Sequence, residues 1–360
     1  MDLRSAIVTA AHAVGFELVR LARVRPTPHA DALDSWLAAG HHADMGWLPH
    51  GRDVRRDPRH RAPWARTAMI LAVAHHHQRP PDPGGRTGLV ARYAWGRDYH
   101  NVLGKRLRKL KRSLRELGLR TWGGVDTAPI LERSWAAAAG VGFTGKHGLQ
   151  IVPGTTSWML LGVLFVDAEV EPDAPVLADH CKACTRCLHG CPTSAFPAPF
   201  VLDARRCISY WTIEAAGLPP RELRPGFGRW VFGCDVCQEV CPHNHHPPPA
   251  EEPAFAPRHA WLDLDRLLAS PDDALLTRFT GTPLRRPGAA GLKRNALIAL
   301  GNLGDDGAVN GIRDHALPHP APVVRAAAIW ALDRLGATVP AHDPAPLVRE
   351  EIRAARDAGP

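Results

Sequence analysis

Apolar residues recur with two different periods along the first half of the chain. Leu3 to Val14 keeps the helical spacing of three and four, and Phe16 to Ala22 reads as a strand. Ala68 to Ala74, AMILAVA, is a continuous apolar run of the buried-strand type, and Ser157 to Val166, SWMLLGVLFV, is a second. Asn101 to Leu117 predicts a helix, because Leu103, Leu107, Leu110, Leu114 and Leu117 fall on one face. Its other faces carry Lys105, Arg106, Arg108, Lys109, Lys111, Arg112 and Arg115, which suit either a solvated surface or phosphate contacts. Polar stretches punctuate this pattern. HHADMGWLPHGRDVRRDPRH reads as a linker and RPPDPGGRTG as a loop. GVGFTGKHG lacks the spacing of a phosphate loop, and its glycines are expected to let something bulky approach the backbone. Asp126, followed by Thr127 and Pro129, has the signature of a helix N-cap. The run His75, His76, His77 is expected at an exposed strand end, with no metal assigned.

Beyond residue 250 the pattern turns helical. GLKRNALIALGNLGDDGAV and PVVRAAAIWALDRLGATV align at a period of about 31 residues, with Arg294 matching Arg325 and with Leu303 and Leu335 each preceding glycine. Two stacked HEAT-like repeats account for this, and an ordinary helical hairpin is the alternative. Arg294 and Arg325 open the matched units and suit phosphate contacts or packing equally. HNHHPPP before this region is a stiff spacer. The expected divisions are 1–170, 171–248 and 249–360.

Composition adds three bounds. With 360 residues and 45% hydrophobic content, the chain builds a globular protein with a sizeable core. A net charge of +8 and a pI near 9.3 favour a polyanionic partner such as nucleic acid, although arginine-rich composition also arises from genomic bias. No apolar stretch reaches the ~18 residues that span a bilayer, and the N-terminus lacks an uninterrupted apolar signal core. A cytoplasmic protein without membrane attachment is expected.

All the cysteines fall between residues 181 and 241. Cys181, Cys184, Cys187 and Cys191 form C-x2-C-x2-C-x3-C followed by proline, the bacterial run for cubane iron–sulfur ligation. Cys207 stands alone, and Cys234, Cys237 and Cys241 complete a degenerate second half. In two-cluster proteins the fourth cysteine of each run crosses to the other cluster. One 4Fe–4S cluster therefore takes Cys181, Cys184, Cys187 and Cys241, and the other takes Cys191, Cys207, Cys234 and Cys237. Structural zinc prefers paired knuckles across a long gap, and disulfides need an oxidising compartment. Neither suits this density in this chain.

Several blocks together resemble the epoxyqueuosine reductase (QueG) family: RYAWGRDYHNVL, VDTAPILERSWAAAAGVGFTGK, CKACTRCLHGCPTSAF, CISYWTIE, GCDVCQEVCPHN and the repeat-like tail. The resemblance implies an α+β multidomain protein: a nitroreductase-like α/β domain carrying cobalamin, a ferredoxin-like domain with two clusters, and HEAT-like repeats that bind tRNA. It implies cobalamin- and iron–sulfur-dependent reduction of epoxyqueuosine to queuosine at the tRNA wobble position. It makes Asp126 the general acid, a role that calls for a pKa raised by burial, whereas a helix-start role would lower it. It gives Arg56, Asp126, Gln150, Ser157, Leu161, Ser209 and Asp235 as cobalamin contacts, with Gln150 and Leu161 acting through the backbone. For Tyr99, core packing is the expected role. The expected partners are tRNA carrying epoxyqueuosine, through its anticodon stem-loop, and an electron donor of unspecified identity. A monomer is expected. The rival readings are a dehalogenase-like corrinoid reductase, and a non-enzymatic electron carrier or nucleic-acid-binding module.

Overall fold

The computed structural model describes residues 2–174 and 180–357. Residues 175–179, in the expected cluster region, and 358–360, at the end of the expected repeats, lie outside the described residues. In chain order the strands are β1 (Leu18–Arg23), β2 (Thr67–Ala74), β3 (Thr87–Val90), β4 (Thr121–Gly124), β5 (Phe143–Thr144), β6 (Gln150–Ile151), β7 (Met159–Val166), β8 (Trp230–Phe232) and β9 (Trp261–Asp263).

The apolar runs of β2 and β7 pair antiparallel at the centre of a sheet ordered β1-β2-β7-β4. Antiparallel sheets often leave one face wet, but every residue of β2 is buried. The reason is that both faces are covered. Met69, Leu71 and Val73 pack with Ile7 and Ala11 of the helix Leu3–Ala13 and with Leu103, Leu107, Leu110 and Leu114 of the helix Tyr99–Glu116. Ala68 and Ile70 face the other way, onto Trp135 and Ala136 of the helix Glu132–Ala138. Leu117 departs from expectation. It lies just past the helix end and is exposed, because the helix stops one residue short of it.

The linker-like stretch is structured. It holds the short helices Trp47–His50 and Arg52–Arg56 and a 3-10 turn at Pro58–His60. Asp126 caps no helix. Its φ of 55° is left-handed, a conformation that Asp tolerates better than most residues, and the next helix begins only at Glu132. The capping carboxylate of this region is Asp98, which accepts from the His100 N–H at 3.0 Å. His75 is buried edge-on against Trp158 and is not exposed at a strand end.

A second sheet, ordered β8-β3-β9, draws one strand from each of the three regions that the sequence separates. One apolar core continues from it into the C-terminal helices, joining Val90, Trp95, Phe232, Leu262, Leu297 and Val324. The helix Gly288–Leu303 runs through this core, buried on nearly all sides, and packs on the helix Pro322–Arg334. Arg294 is fully buried within it. Its guanidinium donates to the carbonyls of Trp211, Ala215 and Gly217 at 2.6, 2.7 and 2.6 Å. Arg325 holds both oxygens of Asp343 at 2.8 and 3.0 Å and also donates to the His319 and Pro320 carbonyls. Both matched arginines therefore serve packing, and the phosphate-contact expectation for Arg294 is overturned by its burial. Among the described residues no helix is long and apolar enough to cross a membrane.

Candidate active site and cluster centre

The short helices Arg186–His189 and Val236–Glu239 pack together and bring the two cysteine runs side by side. Several of these thiols are buried close to one another. Burial pushes Cys187 up to about 11, and its thiol neighbours Cys181, Cys241 and Cys184 push the same way. Cys241 is raised by burial, with Cys181 and Cys184 adding to it. Cys234 is raised well above the usual thiol range by burial, then by Cys237 and Cys207. Cys237 is raised likewise, by burial and then mainly by Cys207, Asp235 and Cys191. Cys187 of the first run also acts on Cys237, so the two cysteine runs face one another. Buried thiols held protonated become ligands only when a cation replaces their protons, which is the role of cluster iron. An N–H···S bond of 3.3 Å from Ala195 to Cys191 prepares one ligand for negative charge.

The second cysteine run is knitted to the start of β7. Asn244 Oδ1 accepts from Thr156 Oγ1 at 2.9 Å and from the Ser157 N–H at 2.8 Å. Ser157 Oγ accepts from Asn244 Nδ2 at 2.7 Å and Gln238 Nε2 at 2.9 Å, which leaves its own hydroxyl proton available. Asp235, between two cysteines, is buried. Its Oδ2 accepts from the Arg92 N–H at 2.8 Å and lies 3.3 Å from the Arg92 guanidinium. Burial lifts it to about 6 against the pull of Arg92.

The glycine-rich stretch forms the hairpin β5-β6. At Gly142, with φ of 135°, a Cβ would stand 2.0 Å from the Ile151 carbonyl, so the close approach is to the partner strand. Lys146 at its tip donates to the carbonyls of Lys182 and Cys184 at 2.5 and 3.0 Å. Its neighbours Thr144 and Gly148 line a cavity of about 920 Å³, so one wall of this cavity is tied directly to the cluster loop.

Arg55, Asp126, Glu132 and Phe200 also line the cavity. The Asp126 side chain is 60% accessible, yet it sits inside a concave wall with protein on most sides. Tyr99 Oη donates to its Oδ2 at 2.5 Å, and His100 Nε2 lies 3.5 Å away. Tyr99 therefore both packs in the core and presents its hydroxyl to the Asp126 carboxylate. Burial alone would raise Asp126, but His100 and Tyr99 outweigh it and hold the carboxyl below the usual range. The expected burial-raised value is thus corrected. His100 shows the reverse balance. Burial disfavours its charge, but Asp126 and Asp98 lift it to about 8. Arg286, from the C-terminal region, lies 2.6 Å from His100 Nδ1 and over the Tyr99 ring at 5.4 Å.

Among the residues expected at the cofactor, only Asp126 lines this cavity. Gln150 is buried with its Nε2 unpaired. Leu161 is half-buried against the core beneath Trp135, and Ser209 lies on the helix that follows Cys207. Arg56 turns away to Asp34 and the Ala30 carbonyl. Its neighbour Arg55 is the buried guanidinium at the cavity, with Nη1 unpaired. Sequence reading missed Arg55, His100, Glu132 and Arg286. Glu132 had a signal: it is a carboxylate opening an apolar helix. Its Oε1 accepts from the Asp126 N–H at 3.0 Å, and burial followed by Asp126 lifts it to about 7. The unpaired donor of Arg55 at this large cavity suits a ligand rich in amide and phosphate acceptors, as cobalamin is.

Comparison with known proteins agrees with this geometry. The family described as 4Fe-4S double cluster binding domain matches residues 180–244, and the one described as Epoxyqueuosine reductase QueG, DUF1730 matches residues 55–127. The epoxyqueuosine reductase of Xanthomonas campestris is 37% identical over 351 residues, covering 93% of this chain and 97% of that protein. A crystal structure of an epoxyqueuosine reductase with an epoxyqueuosine-modified tyrosine tRNA stem loop superimposes with a TM-score of 0.87 at 29% identity, covering 99% of this chain and 94% of that one. The Bacillus subtilis epoxyqueuosine reductase, solved with its catalytic aspartate loop swung out of the active site, gives 0.85 at 27% identity, covering 99% and 94%. With a mixed α+β fold, a double-cluster domain and this similarity along nearly its whole length, the chain belongs to the epoxyqueuosine reductase family.

Proposed function

We infer that this enzyme reduces epoxyqueuosine to queuosine in the wobble position of tRNA, the last step of queuosine formation. The observation that carries the reading is the presence, in one fold, of eight cysteines, in two runs that pack side by side and at Cys207 between them in the chain, and a cavity into which Asp126 opens. Family membership favours this over the dehalogenase-like and carrier readings. The assigned regions are a nitroreductase-like cobalamin domain at 1–170, a ferredoxin-like domain at 171–248 and HEAT-like repeats at 249–360. Catalysis is assigned to the cytoplasm and to a monomer. The proposed cluster ligands are the two cysteine sets given above. Arg56, Asp126, Gln150, Ser157, Leu161, Ser209 and Asp235 are the proposed cobalamin contacts, and Arg55 joins them through its unpaired Nη1.

Bound cobalamin supplies a strongly reducing, nucleophilic cobalt, and the clusters supply it with electrons. Removing the epoxide oxygen as water consumes two electrons and two protons. The chain must provide the route for the protons. A carboxylate held below the usual range is ionised at neutral pH, so Asp126 has no proton of its own to give. It serves as the acid by relaying the proton of His100, while Tyr99 Oη fixes its orientation.

A pH dependence follows. His100 is raised from its ordinary 6.5 to about 8, so its charge is complete below the ordinary value and is lost as pH rises through about 8. Turnover should fall across that window, and His100→Gln should abolish that limb of the profile. A limb that persists in the variant would remove His100 from the relay. The reaction itself is tested by anaerobic incubation of reduced enzyme with tRNA carrying epoxyqueuosine, followed by mass analysis of the nucleosides. Queuosine should appear, and unchanged epoxyqueuosine would overturn the assignment.

A further inference from the structure

A second cavity, of about 420 Å³, lies beside the acid cluster and has a different character. Its lining brings together Arg97, Arg258, Arg278, His259, Thr280 and Thr282 and contains no acidic side chain. Three separate segments build it. The N–H groups of Arg258 and His259 both donate to the Trp95 carbonyl, at 3.1 and 3.0 Å. The Arg97 N–H donates to the Ala254 carbonyl at 2.8 Å, and Gly96 makes this crossing possible, because a Cβ there would stand 2.2 Å from that same oxygen. The Asp98 N–H donates to the Gly281 carbonyl at 2.8 Å and ties the third segment in.

Positive charge is in excess here. Among the described residues, none of the guanidinium groups of Arg97, Arg258 and Arg278 forms an ion pair, whereas Arg79, Arg86, Arg224 and Arg325 each hold a carboxylate. The Arg278 guanidinium lies over the buried Phe279 ring at 5.3 Å, and the His259 ring meets the same phenyl edge-on at 5.4 Å. One aromatic floor thus holds two of the basic groups in place. Burial, then Arg278 and Arg258, depresses His259; burial, then Arg266, depresses Arg278 against the opposing pull of Asp263. All three arginines are exposed, so water and salt screen their repulsion, and their guanidinium groups stay open to an anion. The Thr280 and Thr282 hydroxyls already donate to backbone carbonyls, so the free donors are the arginines, whose forked geometry suits phosphate oxygens.

We propose that this cavity is a subsite for a backbone phosphodiester of the RNA strand that carries the reacting nucleoside. The inference rests on the tRNA reading above. It places the subsite through covalent neighbours. Arg97 adjoins Asp98, Tyr99 and His100, and the segment ending at Thr282 leads to Arg286, which contacts His100. A phosphate held here would fix the strand next to Asp126.

The test uses the full chain with its clusters intact, an unmodified tRNA anticodon stem-loop as probe, and the combined variant Arg97→Gln, Arg258→Gln, Arg278→Gln. Binding should weaken about tenfold or more at moderate salt, and the slope of log affinity against log salt should fall by about one, as expected for a lost phosphate contact. Arg353→Gln, an exposed arginine on the last helix, should change neither. If wild-type protein binds the stem-loop and the triple variant binds with the same affinity and slope, the subsite is overturned and the tRNA reading stands. If wild-type protein does not bind the stem-loop, both fall. Inorganic phosphate distinguishes the source: binding lost in the variant while stem-loop affinity is unchanged marks a free-anion site and overturns the RNA assignment.

Discussion

Asp126→Asn should keep both clusters and the bound corrinoid and lose turnover by about 10²–10⁴-fold, the usual range for a positioned acid–base group. The substitution is nearly isosteric. Tyr99 Oη can still donate to the amide oxygen, and the Asp126 backbone N–H keeps its bond to Glu132, so the loop is expected to hold its left-handed turn. The lost element is the negative charge. Without it His100 loses one of the two carboxylates that keep it protonated, and the relay loses both its intermediate station and its source. Visible spectra of the clusters and the corrinoid should be unchanged, which separates this outcome from misfolding. Normal turnover would remove Asp126 and turn attention to Glu132, which also lines the cavity and whose pKa of about 7 suits a neutral-pH acid better.

Arg294→Ala should cost about 3–5 kcal/mol of stability, a large loss for one residue. Among the described residues the guanidinium has no carboxylate partner. It is held by three carbonyls of the Trp211 to Gly217 segment and by Asn295 Oδ1 at 3.0 Å, and burial depresses it to about 10. Truncation strands those carbonyls away from water and leaves a cavity in the core that joins the cluster region to the C-terminal helices. That segment follows Cys207, so faster cluster loss should accompany the lower thermal midpoint. RNA binding by the folded fraction should keep its salt slope. A normal midpoint with a reduced slope would return Arg294 to the phosphate-contacting role that its matched repeat position first suggested.

The repeat register shows why such a residue misleads. Arg294 and Arg325 occupy equivalent places in two similar helices, and periodicity assigns them equivalent surroundings. One helix runs through the centre of the protein, while the other pairs its arginine with Asp343 in a nearby loop. Leu117 and the histidine run fail for a related reason, since a local pattern cannot say where a helix will stop or which strand end a later residue will cover. Trp158 covers His75 from the far side of the sheet pairing.

Sequence by itself determined the elements whose causes are local. Five leucines at helical spacing, two apolar runs and the cysteine spacing each carry their own physics within a few residues; four of those leucines and both strands appear as read, and the two cysteine runs come to lie side by side. Tertiary structure alone decided the chemistry at Asp126. Tyr99 and His100 reach it from 27 and 26 residues away in the chain, and Arg286 reaches His100 across 186. A carboxyl's proton affinity depends on the charges and donors within a few ångströms, and no stretch of sequence states which distant residues those will be.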